Sequence, residues 1–164
     1  MTPSCPSTKR FWAALRPFSL TVSIFPPLLA ALLVLRSGHD ISPLLLALTL
    51  LGCVLAHGAV NILSDVDDHR NGVDRPGTSG SSGLLLAGAV SPQTLQRWGW
   101  LSLGGAFLTG LILMLLRPAI LLPLALLLLL GLTLGLFYTG RPLNWKYRAL
   151  GDPRVFLAFG PALT

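Results

Sequence analysis

The sequence predicts an all-α, polytopic transmembrane helix bundle, and three observations carry that expectation. Of 164 residues, 52% are hydrophobic and only 11% are charged, a balance that a soluble domain of this size does not tolerate. Four segments are long and apolar enough to cross a bilayer, which takes about 20 residues at a rise of about 1.5 Å each. The run from Leu121 to Leu136 is almost unbroken aliphatic sequence, whereas a membrane barrel would alternate apolar with polar residues.

Residues 1–17 form a polar segment carrying Lys9, Arg10 and Arg16. The first span follows, Phe18 to Leu35. It exceeds the apolar stretch of a signal peptide, and Arg36-Ser37-Gly38-His39 offers no small-x-small cleavage site, so it is read as a retained helix, kinked at Pro26-Pro27. The second span is Pro43 to Leu63, the third Trp98 to Leu116 and the fourth Pro118 to Tyr138. The links Arg36 to Ser42 and Arg117-Pro118 are short, which makes their flanking spans tight antiparallel hairpins. Two longer links, Ser64 to Arg97 and Tyr138 to Arg154, contain nearly all the polar chemistry. The apolar stretch Val155 to Thr164 amounts to about 15 Å of helix against a core of about 30 Å. The expectation is four complete spans plus the start of a fifth, in the N-terminal part of a longer protein.

The net charge of +6 is distributed as topology requires and carries no sign of nucleic-acid binding. Ten basic residues flank one set of span ends, in residues 1–17 and the two long links, and only Arg36 and Arg117 lie on the other. By the positive-inside rule the N-terminus and both long links are cytoplasmic. Cys5 lies in the polar tail and Cys53 in mid-span, so no disulfide is expected.

All six acidic residues are Asp, and Asp65, Asp67, Asp68 and Asp74 fall within ten positions. On a helix Asn61, Asp65 and Asp68 share one face, with His57 one turn deeper, while Asp67 lies about 200° from Asp65. Carboxylates on one face repel unless a cation joins them. Oxygen ligands at this spacing suit Mg²⁺, which binds one or two carboxylates together with substrate phosphates. Gly72 lets the chain leave the helix so that Asp74 and Arg75 can fold back. The competing reading is a helix end with a solvated acidic loop balanced by Arg70 and Arg75, but ionisable groups at the end of a span more often face a cavity.

Asn61-Ile-Leu-Ser-Asp65-Val-Asp-Asp68-His-Arg-Asn-Gly72-Val-Asp74 resembles the run N-x-x-N-D-x-x-D-x-x-x-G-x-D of the UbiA-type superfamily of intramembrane prenyltransferases, and within it of the 1,4-dihydroxy-2-naphthoate prenyltransferases of menaquinone synthesis. Ser64 departs from the usual second Asn. Leu15-Arg16-Pro17, Gly83 to Pro92, Tyr138 to Pro142 and Leu150-Gly151-Asp152 are similar in order and spacing. The resemblance makes residues 18–164 the N-terminal part of a UbiA-like membrane domain of about nine spans, in a bacterial inner membrane.

That family likeness implies transfer of a prenyl group from a prenyl diphosphate, bound through Mg²⁺ to two Asp-rich motifs, to an aromatic acceptor. Only the first motif is within these residues, so they alone are expected to turn over little. Asp65 and Asp68 are the candidate metal ligands and catalytic residues, and Asn61, Asp74 and Arg75 the candidate substrate contacts beside them. Arg141, Lys146 and Arg148 are candidate diphosphate contacts on the second link, with Lys146 preferred for its flexible ammonium. Positive-inside anchoring alone would also account for those three. Gly77 to Gly83 could cradle phosphate through backbone N–H groups, though a flexible loop explains it at least as well, and His57 is read as a polar packing contact in preference to a general base. The non-enzymatic alternative is a transporter or scaffold with an Asp-rich ion-binding loop, which predicts ionisable groups deeper in the spans than this chain has.

Overall fold

The computed structural model describes residues 7–75 and 80–139, and among them the regular structure is all helical, with no strand. In chain order the helices are α1 (Ser7–Leu15), α2 (Pro17–Arg36), α3 (Pro43–Arg70), α4 (Pro92–Leu116) and α5 (Leu121–Thr139), the last entered through a 3₁₀ turn, Pro118–Ile120. The all-α bundle expected from the sequence is the one observed. By length and composition α2, α3 and α4 each suffice to cross a membrane. The fourth predicted span is helical as α5, 19 residues long, and Val155 to Thr164 lies outside the described residues.

One helix and two boundaries differ from the expectation. Residues 7–15 form a helix of their own, where the sequence suggests a plain tail. Its core-facing residues Ala14 and Leu15 are buried, so it is an amphipathic helix and not an apolar run. The other difference is length: α3 continues seven residues beyond Leu63, and α4 begins six before Trp98. Hydropathy marks where lipid ends, whereas a helix ends where its backbone hydrogen bonds stop.

Each helix starts and stops for a local reason. Pro17, Pro43 and Pro92 occupy first-turn positions where a missing N–H costs nothing. Ser91 caps α4 by accepting from the Thr94 N–H at 3.2 Å. α3 ends in a Schellman motif: the Val73 N–H donates to the Asp68 carbonyl at 2.9 Å and the Gly72 N–H to that of His69 at 3.2 Å. Gly72 takes φ +66° there, which a side chain would resist.

α3 and α4 form the central antiparallel pair, brought close by small residues. A Cβ added at Gly99 would lie 2.7 Å from Leu63, one at Gly105 3.1 Å from Leu55, and one at Gly52 2.8 Å from Thr109. Small residues are what membrane helices use for close approach, because lipid provides no hydrophobic drive between them. The outward surfaces of α2, α4 and α5 expose Phe18, Phe25, Leu33, Leu101, Leu108, Leu115 and Leu122, as a lipid-facing belt requires.

The tightest packing lies at one end of the bundle. Ala14, Leu15, Leu20, Ile62, Val66, Leu85 and Leu95 form the buried core, with Phe11 and Trp98 beside it in an edge-to-face pair at 5.6 Å. This is the end that carries the acidic residues of α3.

Candidate functional site

Ionised carboxylates are rarely taken out of water without partners. Yet Asp65 and Asp68 are 1% and 2% exposed, among the most completely buried large side chains in the described residues. Both lie on the inward face of α3, and Asp67, between them, is half-buried.

Asp65 is held from two directions. The Arg16 guanidinium donates to its Oδ1 in an ion pair, and the Ser82 backbone N–H donates to its Oδ2 at 2.9 Å. Arg16 sits at the corner between α1 and α2 with φ +55°, the only non-glycine residue with positive φ among those described. That conformation costs about 1–2 kcal/mol, and its neighbours hold it in place. The Ser19 N–H donates to the Arg16 carbonyl at 2.9 Å, and the Arg16 N–H donates to that of Ala13 at 3.2 Å.

Asn61, one turn before Asp65, donates both amide hydrogens into the same corner, to the Leu15 carbonyl at 3.0 Å and the Ser19 Oγ at 2.9 Å. One turn deeper, Ser23 Oγ meets His57 Nδ1 at 2.7 Å. Residues 16, 19 and 23 of the α1–α2 side thus meet 65, 61 and 57 of α3 in an antiparallel polar ladder. Between rungs the contact is tight: a Cβ at Gly58 would come within 2.3 Å of Leu15.

The segment 80–90 closes the site from above. Its turn is secured by the Ala87 N–H to the Gly83 carbonyl at 3.0 Å and the Ala89 N–H to that of Leu84 at 2.9 Å. Leu85 reaches the core and Ser82 reaches Asp65. Arg10 of α1 ties on by donating to the Ala89 carbonyl at 2.7 Å, and Arg70 of α3 donates to Gln96 of α4 at 2.9 Å.

Asn61, Asp65 and Asp68, grouped by helical phase in the sequence, are therefore together on one inward face. Asp74 and Arg75 come after the Schellman turn, the first half-buried and the second exposed. Arg141, Lys146 and Arg148 lie outside the described residues. Arg16, Ser19 and Ser82 are site residues that sequence reasoning missed. The available signal was the spacing of Arg16, Ser19 and Ser23, one helical face in a chain whose other span residues are nearly all apolar.

The donor set suits a hard cation in kind, two carboxylates on one face, but among the described residues no third His, Cys, Asp or Glu joins them. A Mg²⁺ ion there would need oxygens from a substrate phosphate, its usual arrangement. It would also have to share Asp65 with Arg16.

The model of the UbiA prenyltransferase family matches residues 24–164. The chain is 33% identical over 152 residues to UbiA prenyltransferase domain-containing protein 1 of Mus musculus, covering 90% of this chain and 43% of that protein. The Homo sapiens protein of that name is 32% identical over 148 residues, with 90% and 43% covered, and that of Dictyostelium discoideum 28% over 155, with 92% and 46% covered. The chain spans less than half the length of these curated relatives. No solved structure matches significantly.

Proposed function

Because the chain belongs to the UbiA prenyltransferase family, we propose that its protein transfers a prenyl group from a prenyl diphosphate to an aromatic quinone precursor, using Mg²⁺. The observation that carries this reading is the pair of fully buried aspartates on one face of α3, at the most tightly packed end of an otherwise lipid-facing bundle. Its apolar helices and its family make the chain an integral membrane protein. The resemblance of the Asn61 to Asp74 run favours 1,4-dihydroxy-2-naphthoate as acceptor and menaquinone synthesis in a bacterial inner membrane as the setting, with this face cytoplasmic.

In such a transfer the allylic C–O bond breaks, the diphosphate leaves with the bonding pair, and the allylic cation alkylates the electron-rich ring, which then loses a proton. The chemistry that a bound Mg²⁺ ion supplies is neutralisation of charge on the departing diphosphate. Asp65 and Asp68 would hold that ion, and Asn61, whose amide nitrogen is committed to Leu15 and Ser19, would contact the ion or the diphosphate through its oxygen. Ile62, Val66, Leu85 and Leu95 form the apolar core at the same end of the bundle, surroundings that would help to keep out the water that traps such a cation. Asp74 belongs to the proposal as a second ligand or loop anchor, Arg75 as a substrate contact, and Arg141, Lys146 and Arg148 as diphosphate contacts on the following link.

The test is transfer of labelled prenyl diphosphate to dihydroxynaphthoate by membranes containing the full-length protein, with and without Mg²⁺. Asp65→Ala and Asp68→Ala should each lower the rate at least about a hundredfold, equivalent to about 2.7 kcal/mol. Unchanged transfer in both variants would sink the assignment.

A further inference from the structure

The ladder on Asp65 raises a question of charge. A carboxylate has about four acceptor positions, and here one is taken by a guanidinium and one by a backbone N–H. A divalent cation arriving alone would face Arg16, 13% exposed, across a carboxylate that is almost wholly buried. Like charges repel strongly in such surroundings. A diphosphate arriving alone would face the carboxylates of Asp65 and Asp68.

If the two arrive together, each charge keeps a partner: Asp65 faces the cation, and the Arg16 guanidinium turns to the phosphate oxygens, which its planar fork fits well. The backbone allows this exchange. Asn61 fixes the Leu15 carbonyl and the Ser19 hydroxyl on either side of Arg16, so the corner stays in place while the long side chain changes partner. We propose that Arg16 is a diphosphate-binding residue parked on Asp65, so that the site takes up a divalent cation and a diphosphate jointly and binds neither well alone. This rests on the reading of Asp65 and Asp68 as a metal site and adds to it a residue and a coupling.

The experiment uses the purified full-length protein in lipid nanodiscs, with Mn²⁺ as a paramagnetic probe and inorganic pyrophosphate as the anion. Bound Mn²⁺ is read by electron paramagnetic resonance, first with Mn²⁺ alone and then with the preformed Mn²⁺–pyrophosphate complex. Arg16→Gln should bind Mn²⁺ alone at least about fivefold more tightly than wild type and the complex at least about fivefold more weakly, the scale of an ordinary coupling between sites. A purely structural arginine would move both affinities in the same direction. Loss of both, or no tightening for Mn²⁺ alone, overturns the proposal.

Should Arg16→Gln fail to fold, Arg16→Lys carries the test, because it keeps the charge and loses the fork. Mn²⁺ alone should stay within about twofold of wild type while the complex weakens about threefold or more. Parallel loss of both overturns the proposal here too. A wild-type protein that binds neither probe fails the metal reading itself. One that binds the complex, but whose Arg16 variants do not separate the two affinities in these ways, fails only the assignment of Arg16.

Discussion

At the scale of single residues the ladder between the α1–α2 corner and α3 has rungs of unequal weight. Ser23 to His57 is a neutral contact, and such bonds inside membranes average about 0.6 kcal/mol, so Ser23→Ala should barely move the unfolding midpoint. Arg16 to Asp65 is different in kind, because Asp65 is almost wholly buried, and breaking such an ion pair from one side costs about 3–5 kcal/mol. Asp65→Asn should therefore lower thermal stability in nanodiscs far more than Ser23→Ala, and adding Arg16→Gln to it should recover a large part of the loss. A double variant whose losses simply add would show that the pair is not an energetic unit. The sequence made the acidic half of this pair legible, since helical phase alone sets Asn61, Asp65 and Asp68 on one face and Asp67 elsewhere. Its basic half was hidden: Arg16 reads as one more positive-inside charge, and only the chain's return 49 residues later brings it to Asp65.

For the helices as elements, lipid composition is easy to read and packing is not. The spans show in the sequence because an apolar run of about 20 residues is longer than a soluble core helix or a signal peptide requires. α1 does not, because its two buried residues, Ala14 and Leu15, make sense only once Leu15 has Gly58 to pack against. The extension of α3 has a functional consequence. With Pro43 at one lipid boundary, Asp65, 22 residues on and about 33 Å along the axis, would reach the other across a hydrocarbon core of about 30 Å, and His57 would lie inside. The α3–α4 contact that supports this end can be tested by glycine substitution. At Gly99 a Cβ would meet Leu63 atoms at 2.7 and 2.8 Å and Ile62 at 3.2 Å, and Ile62 is 0% exposed and cannot give way. Gly99→Ala should cost about 1–3 kcal/mol in an unfolding titration. Gly104→Ala, with nothing within 4 Å, should be neutral or stabilising by about 0.5–1 kcal/mol, because alanine suits a helix better than glycine. Equal effects at the two positions would mean that α3 and α4 do not pack through Gly99.

Over the whole molecule, the contacts define two ends without reference to any membrane. Arg10 to Ala89, Arg16 to Asp65 and Arg70 to Gln96 join one end, while the turn after Arg36 and the 3₁₀ turn after Arg117 form the other. Lys9, Arg10, Arg16, Arg70, Arg75 and Arg97 all belong to the first end and, among the described residues, only Arg36 and Arg117 to the second. Aspartates at the first end do not offset this bias, because the rule counts Lys and Arg and not net charge. The orientation proposed from this bias would set the carboxylates toward the cytoplasm. Cysteine accessibility can check it in a background with Cys5→Ser and Cys53→Ser. His39 and Asn71 are exposed, in the turns at opposite ends of α3. His39→Cys should react with a membrane-impermeant maleimide in intact cells, and Asn71→Cys only after permeabilisation. The reverse pattern would turn the carboxylates away from cytoplasmic diphosphate and remove the substrate from the proposed reaction. Labelling of both in intact cells would mean that α3 does not span, and the bundle would then need a different placement in the bilayer.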